Sequence, residues 1–221
     1  SWMGRSMTRH GEVEVLRNNT IFPKGVKAWS INGTPTDCVN IALGNLLSEK
    51  PNIVLSGINI GYNTTPTLIL SSGTVAGAIE GTLWDLPAMA FSKCIPKEQF
   101  EVISKSKRLV DPDLDSSLKA AAEHAALMAL ETLHDSSHLG SVVNINFPSQ
   151  TSAQSEIVDT VPAKLRLGGL FAETTPGKFT FRYSDGVEID SNVITDRSAL
   201  SNGRISRSIL DFTRIGKPYV E

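Results

Sequence analysis

The stretch NIVLSGINIGYNTTPTLILSSGTVAGAIEG, residues 52–81, decides the fold predicted for this chain. Ile53, Val54 and Leu55 are consecutive apolar residues, a pattern typical of a parallel strand that is covered on both faces. A loop rich in Gly, Asn and Thr follows, and then small and apolar residues predict a helix from about Gly73 to Leu83. A buried strand followed by a polar loop and a helix indicates an α/β architecture.

Upstream of this stretch, the same alternation of strand and helix is predicted. The segment VKAWSI, residues 26–31, reads as a strand. The helix after it has Thr34 as its N-cap, Pro35 at its first position and Asp37 near the positive end of the helix dipole.

Downstream, the alternation continues to about residue 148. Strands are predicted at residues 87–92 and 141–148, and an amphipathic helix is predicted over residues 116–133. We therefore predict a doubly wound α/β core, with a mostly parallel sheet, over residues 1–148. The pattern then changes, because KFTFRYSDGVEID alternates and contains Asp185–Gly186, a hairpin turn signal. Residues 149–221 are predicted to form β-hairpin arms packed on the core, of a kind that makes contacts between subunits or walls off an active site.

Composition excludes several classes of protein. The 221 residues carry a net charge of −2, without the basic surplus of a nucleic-acid binder. No apolar run approaches the roughly 20 residues that a membrane helix needs. The first residues lack the apolar region of a signal peptide, so the expected location is the cytoplasm.

The loop and helix start of residues 56–74 form a candidate phosphate site. Ligands of open α/β sheets bind at the carboxyl ends of strands, and the N–H groups of a helix N-terminus attract anions. Ser72 and Thr74 add hydroxyl donors, and Gly73 would let a ligand approach the backbone. The alternative is that these residues only cap a core helix. Asn59 and Asn63 offer carbonyl oxygens to a hard cation and amide donors to phosphate.

Four motifs in this order resemble the SurE (survival protein E) family of nucleotidases. They are GTPTDCV at 33–39, SGINIGYN at 56–63, SGTVAGAIEG at 72–81 and PAMAFS at 87–92, and TDRSALSNGRISRSIL at 195–210 is similar to the family's closing strand. The resemblance implies a Rossmann-like core and a C-terminal arm that builds homodimers or homotetramers. It also implies a metal-dependent phosphomonoesterase that hydrolyses nucleoside 5′- and 3′-monophosphates.

The resemblance also assigns roles to individual residues. Ser1 and Asn59 match two of the family's ligands for a divalent cation, Mg or Mn, and Asn59, Asn63, Ser72, Gly73 and Thr74 match its phosphate-binding positions. Asn63 and Ser72 are the predicted catalytic residues, Asn63 by orienting a phosphoryl oxygen and Ser72 by holding one as charge builds. The family's NDDG motif, whose aspartates complete the metal site, does not occur in this sequence. An alternative is therefore a catalytically impaired phosphate-binding homologue or an incomplete fragment.

Overall fold

The computed structural model describes residues 6–18, 22–96, 99–100, 102–103, 112–135, 138–182, 184 and 186–212. Its strands are β1 (Val15–Arg17), β2 (Trp29–Ile31), β3 (Val54–Ile60), β4 (Ala88–Lys93), β5 (Ser141–Phe147), β6 (Ile157–Asp159), β7 (Leu165–Arg166), β8 (Phe171–Thr175), β9 (Lys178–Phe181), β10 (Val187–Glu188) and β11 (Ile205–Asp211). Its helices are α1 (Pro35–Ile41), which continues as a π-helical turn over Ala42–Leu46, α2 (Thr65–Ser71), α3 (Gly73–Thr82), α4 (Pro112–His134) and α5 (Asp196–Ser201). Among these helices, none is both long enough and apolar enough to cross a membrane.

A five-stranded sheet with the order β3-β4-β5-β11-β6 forms the centre of the molecule. Strands β3, β4 and β5 are parallel, and β11 lies antiparallel to β5 and parallel to β6. The sheet is therefore mixed but mostly parallel. Strands β6 and β11 both follow residue 148, so the sheet draws on both sides of the predicted domain boundary, which stays a prediction.

Helices cover both faces of the sheet, because its central strands are apolar on both sides. On one face, Val75 and Ala78 of α3 pack on Ala88, Ala90 and other buried residues of the strands. On the other face, Ala121, Met128 and Ala129 of α4 pack on Met89 and Phe91. All six residues of β4 are buried. This arrangement confirms the predicted doubly wound, Rossmann-like α/β fold.

The predicted strand at residues 26–31 is only partly correct. The observed strand β2 is shorter and pairs antiparallel with β1, in a two-stranded sheet separate from the central one. The alternation of the central sheet therefore begins at β3 rather than at residue 26. A local apolar pattern predicts an extended segment, but it does not identify the strand with which that segment pairs.

The predicted hairpin at Asp185–Gly186 also differs from the structure, and residue 185 lies outside the described residues. The observed hairpin joins β8 to β9 and turns at Gly177, which has a φ of 78°. The strand after Gly186, β10, pairs instead with β7. The C-terminal part therefore does contain paired β-arms, but their register is set by a different turn.

Three glycines at intervals of four residues let α3 lie close to its neighbours. A Cβ atom at Gly81 would lie 2.7 Å from Cβ of Val54, and one at Gly77 would lie 2.9 Å from Oγ of Ser56. A Cβ atom at Gly73 would lie 3.0 Å from Cγ of Pro35 in α1. Because real Cβ atoms hardly ever approach so closely, larger residues at Gly77 and Gly81 would push the helix off β3.

The N-terminus of α1 is capped by Thr34, as the sequence predicts, and Asp37 completes a reciprocal capping box. Thr34 Oγ1 accepts a hydrogen bond from the Asp37 backbone N–H at 3.0 Å, and Asp37 Oδ2 accepts one from the Thr34 N–H at 2.8 Å. Asp37 also accepts hydrogen bonds from the backbone N–H and the hydroxyl of Thr8. Burial raises the pKa of Asp37, but these hydrogen bonds to Thr8 and Thr34 outweigh it and lower the pKa from 3.8.

We expect Gly81→Ala to lower the free energy of unfolding by about 1–3 kcal/mol, because the added methyl group collides with Val54. This figure is the net loss, after the opposing helix-propensity gain of roughly 1 kcal/mol for alanine over glycine. The matched control is Gly44→Ala, whose methyl group would meet Trp84 at an ordinary 3.5 Å. Urea denaturation measures both variants, and equal stability of the two would contradict the packing argument.

We expect Asp37→Asn to destabilise the fold by about 1–2 kcal/mol at pH 7, because it weakens a charged cap. The folded-state pKa of Asp37 is lowered, so its ionised form stabilises the fold above the ordinary value of 3.8. That contribution is lost as the pH falls through the lower folded-state pKa. The difference from the parent chain should therefore shrink below about pH 4. Denaturation at a series of pH values tests this, with Glu49→Gln as a control on an exposed carboxylate; a constant difference would refute the linkage.

Candidate functional site

Asn59 lies near the carboxyl end of β3, where the strand becomes irregular. The pairing of β3 with β4 shifts register between Ser56 and Asn59, and Asn59 lies opposite Ser92. Its side chain is exposed and its amide nitrogen approaches Gly61, where an added Cβ would lie 3.3 Å away. Asn59 therefore presents an amide group at the edge of the sheet where ligands of α/β proteins bind.

Asn63 follows on the same loop and is held by buried polar side chains. Its backbone N–H donates to Oδ1 of Asn146 at 2.7 Å, and its carbonyl accepts from the amides of Asn144 and Asn146 at 2.9 and 3.1 Å. Its own side-chain amide donates to Oγ of Ser92 at 2.6 Å. Asn63 is only 5% exposed, so the network fixes both its backbone and its side chain.

The backbone of Thr65 is fixed from a distant part of the chain. Thr65 has a left-handed backbone with a φ of 62°, an unusual conformation for a β-branched residue. Its N–H donates to Oδ2 of Asp196 at 2.8 Å, and Oδ1 of Asp196 accepts from Ala163 at 3.0 Å. Burial raises the pKa of Asp196, while these backbone N–H bonds act to lower it. Asp196 thus replaces a local cap at the start of α2, a helix that the sequence pattern did not predict.

Ser72, Gly73 and Thr74 form the first turn of α3. Oγ of Ser72 accepts a hydrogen bond from the N–H of Val75 at 3.1 Å, so this serine is the N-cap of α3. A hydroxyl has one donor and two acceptor positions, so the O–H of Ser72 can still donate to a ligand. Gly73 also packs closely on Pro35. This packing is a second reason for a glycine at position 73, besides the predicted approach of a ligand.

The packing of α3 on β3 places these two groups at the same edge of the sheet. Gly81 lies against Val54 and Gly77 against Ser56, so the helix runs antiparallel to the strand. Following the helix back from Gly77 to Gly73 and the strand forward from Ser56 to Asn59 therefore leads in the same direction. The structure thus brings the helix N-terminus and the asparagine loop to the carboxyl edge of the sheet.

The described residues do not by themselves fit a hard divalent cation. Such ions take about six oxygen ligands, usually including carboxylates. Asn59 offers one neutral oxygen, and Asp37 already accepts hydrogen bonds from Thr8 and Thr34. Ser1, the other predicted ligand, lies outside the described residues. Within the described part of the chain, no group of three or more His, Cys, Asp or Glu residues could hold a metal ion.

Lys93 is a fully buried cation at the end of β4, and its nitrogen is committed to the backbone. It donates to the carbonyl oxygens of Pro148, Ser149 and Cys94, at 2.8 Å for Ser149. Burial lowers the pKa of Lys93 to about 8. Because its ammonium group is fully buried on these carbonyls, Lys93 stabilises the turn after β5 rather than offering charge to a phosphate.

The sequence analysis missed the residues that hold the loop in place. They are Ser92, Asn144, Asn146 and Asp196, all completely buried. A signal was present in SVVNINF, because two asparagines at alternate positions of an apolar strand point to the same face. Buried amides require hydrogen-bond partners, and here the partner is the backbone of Asn63.

The sequence is similar to proteins of one family. The family model described as survival protein SurE matches residues 1–166 of the chain. The chain is 52% identical over 89 residues to the 5′-nucleotidase SurE of Prochlorococcus marinus strain MIT 9211, covering 40% of this chain and 33% of the relative. It is 40% identical over 146 residues to the 5′-nucleotidase SurE of strain MIT 9303, covering 66% of this chain and 47% of the relative. The chain thus spans less than half the length of these curated relatives.

A solved structure shares the fold. The SurE protein from Aquifex aeolicus superimposes with a TM-score of 0.68, covering 94% of this chain and 77% of that one at 24% identity. The mostly parallel sheet, the helix that starts at Gly73 and the family match over three quarters of the sequence agree with one another. The chain therefore belongs to the survival protein SurE family.

Proposed function

We propose that this protein is a phosphomonoesterase that hydrolyses nucleoside monophosphates. The observation that carries the proposal is the first turn of α3, which the packing on β3 directs to the carboxyl edge of the sheet beside Asn59. The N–H groups of Gly73 and Thr74 lie in the first helical turn, where no intrahelical acceptor is available to them. Family membership supports phosphate as the ligand, because the matched relatives are named 5′-nucleotidases.

In this proposal the residues of the chain bind and orient the phosphoryl group. The N–H groups of Gly73 and Thr74 and the hydroxyls of Ser72 and Thr74 donate to its oxygens as negative charge develops. Asn63, whose amide is already bonded to Ser92, keeps the loop in the geometry that the phosphate needs. Its predicted direct contact with a phosphoryl oxygen remains part of the proposal.

Metal dependence and hydrolysis of 3′-monophosphates are also proposals. The resemblance implies a divalent cation, Mg or Mn, and Asn59 would supply one of its ligands together with residues outside the described part, such as Ser1. When bound, such a cation polarises the phosphoryl group and activates water. We also propose a location in the cytoplasm. Neither a nucleic-acid polymer nor a membrane is a proposed partner.

We expect the protein to release phosphate from p-nitrophenyl phosphate and from nucleoside 5′- and 3′-monophosphates, and to do so faster with Mg²⁺ or Mn²⁺. Thr74→Ala should lower kcat/KM by roughly tenfold or more, because it removes a donor to the developing charge. The matched control is Ser71→Ala, since the Ser71 hydroxyl bonds to carbonyl oxygens of α2. A parent chain without activity under all these conditions would support the impaired homologue instead.

The β-arms are proposed to join two or more copies of the chain. Phe171, Phe179 and Val187 are 65%, 61% and 71% exposed. Several large apolar side chains exposed on the same arms are unusual in a monomer and often mark a contact surface. Sedimentation velocity should therefore show a dimer or tetramer at micromolar concentration. Phe179→Lys should shift the distribution of oligomers towards monomer, because it places a charge in the interface. The control is Lys178→Glu at the neighbouring position, which changes the charge without removing an apolar side chain. A monomeric parent chain would refute this part of the proposal.

A further inference from the structure

A cavity lies at the carboxyl edge of the sheet, beside the loop that carries Asn63. It has a volume of about 310 Å³ and is lined by Tyr62, Thr64 and Cys94 on one side and by Glu188, Arg197 and Ser201 on the other. Tyr62 and Thr64 flank Asn63 in the chain, and Cys94 directly follows β4. The cavity therefore borders the asparagine loop, and its size lies in the range of small-molecule sites.

A buried carboxylate joins the two walls of this cavity. Asp196 binds the N–H of Thr65, at the end of the loop, and the N–H of Arg197, at the first turn of α5, at 2.8 and 2.7 Å. Asp196 is completely buried, so these bonds are shielded from water. Tyr62 and Arg197 are thus carried by backbone segments held in a fixed relation, which lowers the entropy lost when a ligand binds.

The lining suits a planar, polar and largely uncharged group. Arg197 and Glu188 form an ion pair at 3.6 Å, and their side chains are 30% and 35% exposed. Oppositely charged groups so close together favour neither a free anion nor a free cation. Glu188 is further oriented by the hydroxyl of Thr195 at 2.7 Å. An aromatic ring and a guanidinium offer flat surfaces for stacking, and a carboxylate accepts hydrogen bonds from hydroxyl groups.

We propose that this cavity binds the nucleoside half of the substrate. The base stacks on Tyr62 and Arg197, and Glu188 accepts hydrogen bonds from the sugar hydroxyls. This inference rests on the proposed function, since it assigns the part of a nucleoside monophosphate that the first turn of α3 does not contact. It also gives Asp196 a positioning role, because that carboxylate holds the loop and α5 together.

The test uses nuclear magnetic resonance of the ¹⁵N-labelled chain with three separate probes: adenosine, inorganic phosphate and adenosine 5′-monophosphate. Adenosine should shift the amide signals of Tyr62, Thr64 and Ser201, whereas phosphate should shift those of Gly73 and Thr74. Arg197→Ala and Tyr62→Leu should each weaken adenosine binding by about tenfold, because each removes a stacking surface. Phosphate affinity should stay unchanged in both variants.

The control is Arg204→Ala, which removes an arginine that pairs with Glu156 outside the cavity and should leave all three affinities unchanged. The inference is overturned if adenosine does not bind, or if it shifts signals elsewhere. It is also overturned if Arg197→Ala weakens phosphate and adenosine equally. Adenosine binding in the cavity without phosphate hydrolysis would uphold the nucleoside site while refuting the proposed function. Phosphate hydrolysis with adenosine bound elsewhere would uphold the proposed function and refute the nucleoside site.

Discussion

The close approach of α3 to β3 is the constraint on which the rest of the site depends. Gly77 and Gly81 leave no room for even a methyl group against Ser56 and Val54, so the helix axis is fixed by contact of its backbone with these two side chains. This contact determines where the helix begins, and so where its free N–H groups lie. Functional geometry and core packing are therefore two results of the same small residues.

A second level of organisation is a network of buried hydrogen bonds at the carboxyl edge. Asn146 holds the backbone of Asn63, and Asp196 holds that of Thr65 across 131 positions of sequence. These groups contribute little net hydrogen-bond energy, but an unpaired buried amide or carboxylate would cost several times more. The network therefore acts mainly on specificity, because another arrangement of the loop would leave Asn146 or Asp196 without these partners.

The sequence predicts those parts of the fold whose stability is local or periodic. The apolar run before Ser56, the amphipathic pattern of α4 and the N-cap at Thr34 were each predicted from local sequence, and the structure agrees with them. The start of α2 could not be predicted, since its N-terminal partner is Asp196. The pairing of β2 and the true hairpin turn at Gly177 were also missed, because strand partners depend on contacts that a local pattern does not encode. At the site, the N-cap role of Ser72 and the place of Asn59 near the end of β3 could be predicted from the sequence. The residues that hold Asn63 were missed, although the alternating asparagines of β5 carried a signal for two of them.

The position of β11 has a consequence for the way the protein is made. This strand pairs with β5 and with β6, yet the arm strands β7 to β10 are synthesised after β6 and before β11. While the ribosome translates that interval, which takes roughly several seconds, β5 has an open edge. Exposed edges can recruit other strands, so the nascent chain is open to aggregation in this interval. The entropic cost of bringing β11 to β5 grows only slowly with the number of residues between the two strands. Insertions in the arms thus affect folding thermodynamics weakly, but they lengthen the time for which the nascent sheet needs protection.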